Sequence, residues 1–127
     1  MREAPGEPKR ILVVDDYHDN REMYAAYLRF SGFLVDEAVT GTEAIEKAHA
    51  MDPNLIVMDL SLPGMDGWEA TRRLKTDPKT GHIPVVVVSG HALEGSVWTA
   101  KAAGCDAFLK KPCLPQVLLA EVRKLLK

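Results

Sequence analysis

Three acidic residues in this sequence directly follow apolar stretches of the kind that form buried parallel strands. Asp15 and Asp16 come after the run at 11–14, and Asp59 comes after the run at 55–58. The carboxyl ends of the strands in an open α/β sheet meet at one edge, where ligands bind, so we expect these side chains to lie close together. Carboxylates about 4 Å apart repel by roughly 4 kcal/mol at an effective dielectric constant near 20, and a divalent cation would offset that repulsion.

The acidic cluster offers oxygen ligands, and no histidine or cysteine accompanies it at the spacing of a zinc site. This donor set favours Mg²⁺ or Mn²⁺ over Zn²⁺, with Asp15 and Asp16 holding the metal. Mg²⁺ usually keeps several waters and binds one or two carboxylates together with a phosphate. The cluster therefore indicates a site with open metal positions for a phosphoryl oxygen.

Transfer of a phosphoryl group to a carboxylate needs an in-line nucleophile, a metal, a cation and hydrogen-bond donors, and further residues match these needs. Asp59 stands alone after its strand and is the expected nucleophile. Ser89 follows a third apolar run and offers a hydroxyl, while Gly90, which lacks a Cβ, can offer its N–H at close approach. Lys111 follows a fourth run, at 107–109, and supplies a positive point charge.

Strand and helix patterns alternate five times along the chain, which indicates a three-layer α/β domain. The predicted strands are 10–15, 33–38, 54–59, 84–88 and 106–109. The predicted helices are 18–31, one that starts at Thr40, one from Asp66 to Asp77, 93–103 and 114–126. Thr40 and Asp66 are each followed three residues later by a glutamate, as at helix starts. The first helix is expected to turn inward Met23, Tyr24, Tyr27 and Leu28.

The composition is typical of one soluble globular domain, with 46% hydrophobic and 27% charged residues among 127. The net charge of −2 provides no basic field for nucleic acid or an acidic membrane surface. No apolar stretch approaches the roughly 20 residues of a membrane span. We expect 1–8 to be a flexible lead and 9–127 a single domain. Two cysteines without a secretion signal favour the cytoplasm.

The combined motifs resemble the receiver domain of two-component response regulators over residues 9–127. The resemblance rests on Asp15-Asp16, Asp59 with Leu62-Pro63-Gly64-Met65-Asp66-Gly67, Ser89-Gly90 and Lys111-Pro112. It implies a flavodoxin-like (βα)5 fold with a parallel five-stranded sheet in the order 2-1-3-4-5. It also implies that Asp59 takes a phosphoryl group from a phosphohistidine on a sensor histidine kinase or a histidine phosphotransfer protein.

The resemblance implies roles for the residues around the phosphoacceptor. Mg²⁺ would be bound by Asp16, Asp59 and the main-chain carbonyl of Ser61, with Asp15 acting through water. Ser61 and Gly90 would contact the phosphoryl group. The domain would promote its own phosphorylation and dephosphorylation, and would be a signalling module and not a turnover enzyme.

A switch is also implied. Ser89 would turn its hydroxyl toward the phosphoryl group, and Phe108 would rotate into the space that this vacates. The change would alter the surface of the fourth and fifth predicted helices and the fifth strand, where an unknown output partner binds. A cis peptide bond before Pro112 would direct Lys111 toward the site. The domain would be a monomer or a phosphorylation-dependent dimer.

Several positions depart from the family pattern. Leu62 stands where methionine is frequent, which conserves volume. Cys113 stands where an aromatic residue is common, which would loosen packing beneath the last helix or expose a thiol. Phe108 lacks the hydroxyl of the tyrosine found in chemotaxis regulators. Ser61 and His91 occupy two variable positions that tune the lifetime of the acyl phosphate in this family.

Other functions stay open at this stage. An aspartyl-phosphate phosphatase would have a second aspartate two residues after the nucleophile, where this chain has Ser61. A flavin-binding protein would need a loop rich in serine and threonine after the first strand, where this chain has Asp15 and Asp16. A receiver-like binding module that is never phosphorylated often lacks one or more site residues. The chain is either a stand-alone receiver or a part of a longer regulator or hybrid kinase.

Overall fold

Five strands and four helices form the part of the chain that the computed structural model describes, residues 7–90 and 103–126. The strands are β1 (Arg10–Val14), β2 (Leu34–Ala38), β3 (Leu55–Asp59), β4 (Val85–Ser89) and β5 (Ala107–Lys110). The helices are α1 (His18–Phe30), α2 (Gly41–Met51), α3 (Gly67–Thr76) and α4 (Pro115–Leu125). The ends of all five strands lie within one residue of the prediction. The predicted helix at 93–103 falls almost wholly outside the described residues.

The strands form one parallel sheet in the order β2-β1-β3-β4-β5, which confirms the flavodoxin-like topology. The register aligns the ends of neighbouring strands: Val14 lies opposite Met58, and Asp59 lies opposite Val88. Consequently the residues that follow β1, β3 and β4 all emerge at the same edge of the sheet.

Helices cover both faces of this sheet, so its strands alternate between two apolar cores. In β1, Ile11 and Val13 join the core beneath α1 and α4, whereas Leu12 and Val14 join the core beneath α2 and α3. Every residue of β3 and β4 is buried, as expected for strands covered on both faces. No helix within 7–90 or 103–126 has the length and apolar character needed to cross a bilayer.

Side-chain caps start α2 and α3 at the predicted positions. The Thr40 hydroxyl accepts a hydrogen bond from the Glu43 N–H (3.0 Å), and the Asp66 carboxylate accepts one from the Glu69 N–H (2.9 Å). The returning contact of Glu43 differs from that of a capping box, because its carboxylate accepts from the Val39 N–H (2.7 Å), one residue earlier.

The inner face of α1 is narrower than the sequence predicted. Tyr24, Ala25 and Leu28 are the buried residues of this helix, and Tyr27 packs against the core while only partly buried. Met23 is 41% exposed, so its placement on the inner face was wrong. Small Ala25 fills the inner stripe in its place, which lets α1 lie close to the sheet.

Candidate functional site

The three predicted acidic residues meet at the carboxyl edge of the sheet. One carboxylate oxygen from each of Asp15, Asp16 and Asp59 lies within 4.8 Å of the others. Asp15 and Asp59 are buried, while Asp16 is exposed. The strand pairing produces this cluster, because β1 and β3 are neighbours in register and the chain leaves both at the same level.

Backbone groups fix the orientation of Asp15. Its N–H donates to the carbonyl of Ala38 (3.1 Å), which extends the pairing of β1 and β2 by one step. Its carboxylate accepts a hydrogen bond from the Tyr17 N–H (2.9 Å), so the side chain is held as the chain turns toward α1. Asp15 is thereby positioned before any ligand binds.

Lys111 joins the acidic cluster from the far side of β4. Its Nζ lies 3.1 Å from Asp59 Oδ1 and 3.3 Å from Asp15 Oδ2. Its backbone N–H donates to the carbonyl of Ser89 (2.7 Å), which places the lysine just beyond the pair formed by β4 and β5. The peptide bond between Lys111 and Pro112 is cis.

Burial and charge perturb both partners of the central ion pair. Burial raises the pKa of the Asp59 carboxyl, and the nearby Asp15 charge raises it further, while Lys111 acts in the opposite direction. Burial disfavours the charge of Lys111, yet the carboxylates of Asp59 and Asp15 outweigh burial and raise the pKa of its ammonium. Lys111 therefore stays charged, but the ammonium of Lys111, the one cation that pairs with the cluster within 7–90 and 103–126, does not balance three carboxylates.

The site fits a hard divalent cation. All three side-chain donors of the cluster are carboxylate oxygens, and they converge on one region of space. Mg²⁺ prefers such ligands and normally uses only one or two carboxylates, which leaves room for water and a phosphoryl oxygen. The excess negative charge gives the cluster a physical reason to take up a cation.

The remaining predicted site residues lie around this centre. Ser89 is fully buried at the end of β4, and Gly90 follows it at the surface. Ser61 is exposed two residues after Asp59. Phe108 is partly buried in β5, where its ring stacks on Trp68 with ring centroids 6.2 Å apart. His91 lies outside the described residues.

The loop after Asp59 returns to pack directly on it. The Gly67 N–H donates to the carbonyl of Leu60 (3.1 Å). A Cβ on Gly67 would lie 2.2 Å from the Asp59 carbonyl oxygen, closer than atoms can approach, so glycine is required at this position. The first turn of α3 thus sits against the backbone of the central aspartate.

Arg21 supports the site and was missed by the sequence analysis. Its guanidinium donates to the main-chain carbonyl of Asp15 (3.1 Å) and pairs with Glu37 of β2 (2.9 Å). Glu37 also pairs with Arg29 (3.2 Å). These contacts connect α1 and β2 to the segment after β1 that carries Asp15. The sequence carried no indication of this link, because it depends on how α1 packs beside β2.

Comparison with known proteins gives a consistent family assignment. The family model described as the response regulator receiver domain matches residues 11–123. Among curated proteins, the polar-differentiation response regulator DivK of Brucella anthropi is 34% identical over 105 residues, which cover 83% of this chain and 85% of that protein.

Solved structures of similar proteins share the whole fold. A CheY-like response regulator receiver domain protein from Methanospirillum hungatei superposes with a TM-score of 0.86 at 32% identity, covering 94% of each chain. The receiver domain of a sensor histidine kinase from Pseudomonas aeruginosa superposes with a TM-score of 0.87 at 28% identity, covering 94% of this chain and 98% of that one. The latter structure has a magnesium ion coordinated in its active site cleft.

Proposed function

This chain belongs to the response regulator receiver domain family, and from that premise we propose that Asp59 is the residue on which it accepts a phosphoryl group. One observation carries the proposal: the ammonium of Lys111 pairs with both Asp59 and Asp15 at the carboxyl edge of the sheet. This arrangement combines a nucleophile, metal ligands and a cation for phosphoryl oxygens in one site.

In the proposed reaction, a carboxylate oxygen of Asp59 attacks the phosphorus of a phosphohistidine on a partner protein. A bond forms between that oxygen and phosphorus, and the bond from phosphorus to the histidine nitrogen breaks. The nitrogen leaves with the electron pair and the ring takes up a proton from water, so the partner recovers its neutral imidazole. The product on this chain is an acyl phosphate.

The cation and the donors act on the oxygens of the transferred group. Lys111 already sits beside Asp59 Oδ1, so its ammonium can move to a phosphoryl oxygen with little displacement. The hydroxyl of Ser89 and the N–H of Gly90 would donate to the same group, with Ser61 beside it. These roles are part of the proposal, which the family membership supports and with which the places of Ser89 and Gly90 at the end of β4 agree.

The metal site is proposed to contain Asp16, Asp59 and the main-chain carbonyl of Ser61, with Asp15 acting through water. Mg²⁺, or Mn²⁺ in its place, would neutralise charge that develops on the phosphoryl oxygens. The cluster of carboxylate oxygens supports this assignment, as does the magnesium-containing Pseudomonas receiver.

Phosphorylation is proposed to act through a change in side-chain packing. Ser89 would turn toward the phosphoryl group, and Phe108 would move inward, altering the surface that includes β5 and α4. Part of that surface, the predicted helix at 93–103, lies almost wholly among residues 91–102, outside the described part of the chain. Ser61 and His91 would set how long the acyl phosphate lasts.

The partners follow from the family. Receiver domains work with histidine kinases and with downstream proteins, and we propose that a sensor kinase or a histidine phosphotransfer protein is the donor here. We propose further that 9–127 form the receiver after a short lead at 1–8, and that the protein acts in the cytoplasm. The free thiols of Cys105 and Cys113 are consistent with a reducing compartment.

The direct test is phosphorylation by a small phosphodonor. The protein is incubated with Mg²⁺ and acetyl phosphate, and its intact mass is measured. We expect the mass of one added phosphoryl group on the wild type and none on Asp59→Asn. A matched control, Asp36→Asn, removes a carboxylate of β2 that pairs with Arg10 of β1, and should still be phosphorylated. A wild type that gains no mass, or an Asp59→Asn variant that gains as much, would overturn the proposal.

A further inference from the structure

An aromatic pair connects the first turn of α3 to the middle of β5. Trp68 is the second residue of α3, and its ring lies nearly parallel to that of Phe108, with an interplanar angle of 15° and a centroid distance of 6.2 Å. Both side chains are partly buried and pack against the core beneath α2 and α3. Offset stacking at this distance is a favourable arrangement for two aromatic rings.

The tryptophan end of this pair is held against the phosphoacceptor. Gly67 immediately precedes Trp68, and its backbone packs on the carbonyl of Asp59 with no room for a Cβ. The Gly67 N–H also donates to the carbonyl of Leu60. The start of α3 is therefore packed directly on the backbone of Asp59, and Trp68 is the next residue along the helix.

The phenylalanine end is held in the strand that leads to the lysine. Phe108 lies opposite Val87 of β4, and Lys110 lies opposite Ser89. Lys111 follows at once and pairs with Asp59. The two rings thus close a chain of contacts that begins and ends at Asp59, one branch through α3 and the other through β5.

We propose that Trp68 is a positioning residue for Phe108. Its ring holds Phe108 in the arrangement that accompanies the ion pair between Lys111 and Asp59, and so opposes the inward rotation of Phe108. The inference rests on the proposed function and adds to it a second route of control, through α3, beside the route through Ser89. Because coupling is reciprocal, a residue that opposes the phosphorylated arrangement must also weaken the binding of a phosphoryl group at Asp59.

The experiment follows Phe108 directly. The chain has three phenylalanines, so labelling with fluorophenylalanine gives three fluorine NMR signals, and Phe108→Leu identifies the relevant one. Beryllofluoride with Mg²⁺ serves as the phosphoryl analogue. In Trp68→Leu we expect the Phe108 signal to shift without the analogue, and the analogue to bind about two- to tenfold more tightly, the range expected from losing one aromatic pair.

Two control variants separate this role from a general packing effect. Trp68→Phe keeps an aromatic ring against Phe108 and should restore an affinity close to that of the wild type. Phe33→Leu removes a partly buried aromatic ring from the opposite core and should leave the affinity unchanged. If Trp68→Leu binds the analogue with wild-type affinity and shows the wild-type Phe108 response, the proposal is wrong.

A second measurement applies if Trp68→Leu does not fold. The chain has two tryptophans, so Trp98→Phe leaves Trp68 as the sole source of tryptophan emission. That emission should change when the analogue is added, and Phe108→Leu should remove the change. An equal response with and without the Phe108 ring would overturn the role of Trp68. A wild type that neither binds the analogue nor takes up phosphoryl would overturn the proposed function itself.

Discussion

At the scale of single residues, the site carries more negative charge from its carboxylates than the ammonium of Lys111 neutralises. Asp15 and Asp59 are buried beside one another and share a single lysine ammonium. Lys111 reduces their repulsion but leaves the cluster with excess negative charge, to which Asp16 adds from the surface. Burial raises the pKa of the Asp59 carboxyl, and the neighbouring charge of Asp15 raises it further.

Asp59→Asn should therefore stabilise the metal-free protein at neutral pH. A carboxyl group whose pKa is raised by folding contributes stability while it is protonated, and this contribution is lost as pH rises through the raised value. At neutral pH the ionised Asp59 thus costs stability, and we expect the variant to gain about 1 kcal/mol. Urea unfolding measures this gain, which should shrink toward acidic pH. A gain that grows on acidification would contradict this account.

Removal of the Lys111 ammonium should destabilise the folded protein. Lys111→Met leaves two buried carboxylates without their partner, and breaking such a pair costs about 3 kcal/mol. Added Mg²⁺ should restore part of this stability in thermal unfolding. Lys124→Met is a matched control, because it removes a lysine whose side chain is far more exposed and whose pairing with Glu121 (3.9 Å) is worth at most about 1 kcal/mol. Equal losses in the two variants would rule out a special role for Lys111.

At the scale of structural elements, the start of α3 is as important to the site as the strand that carries Asp59. Asp66 caps this helix, Gly67 packs on the Asp59 carbonyl, and Trp68 reaches Phe108. Each of these three consecutive residues therefore makes a different contact. A helix start with this geometry fixes the loop that carries Ser61.

Gly67→Ala tests the contact between α3 and the Asp59 backbone. Helix propensity and this contact predict changes in the free energy of unfolding of opposite sign. Helix propensity alone predicts that alanine stabilises α3 by up to about 1 kcal/mol. The structure predicts a loss of about 3 kcal/mol, because the new Cβ would overlap the Asp59 carbonyl and force backbone movement. Gly90→Ala is the stability control: among the residues that the structure describes, none lies within 4 Å of a Cβ at this position, and the change should stay within about 0.5 kcal/mol. Denaturant unfolding distinguishes the two cases.

The elements were predictable from local patterns, whereas their contacts were not. The run at 85–88 is apolar throughout because β4 is covered on both faces, and the capping residue Thr40 indicates where α2 begins. Strand order came from the resemblance, since periodicity does not say which strands are neighbours. The link from Arg21 to Asp15 and the stack of Trp68 on Phe108 join residues from different elements, so only their packing reveals them.

At the scale of the whole molecule, the sheet serves to align strand ends. The acidic residues come from β1 and β3 in the centre of the sheet, and the lysine follows β5 at one side. Large apolar cores on both faces hold these strands in register. The free energy gained by packing these cores thus offsets the repulsion between the carboxylates of the site. A ligand that binds this site should therefore increase the free energy of unfolding of the whole domain.

Mg²⁺ should raise the thermal midpoint of the wild type. At a concentration ten times its dissociation constant, a ligand that binds only the folded state adds about 1.4 kcal/mol, or about 5 °C for a domain of this size. Asp16→Asn should reduce the rise, because it removes one carboxylate of the cluster. Asp19→Asn, which changes an exposed acid in the first turn of α1, should keep it. The same rise in both variants would place the metal elsewhere.

The position of β3 has a consequence for how the protein changes shape. This strand is bonded to β1 on one side and to β4 on the other, and all five of its residues are buried. Backbone amides in such a strand exchange their hydrogens with water only when much of the domain opens. The proposed phosphoacceptor Asp59 therefore lies at the end of a segment that stays closed on the timescale of ordinary fluctuations, and shape changes that follow phosphorylation would arise in the surrounding loops and side chains.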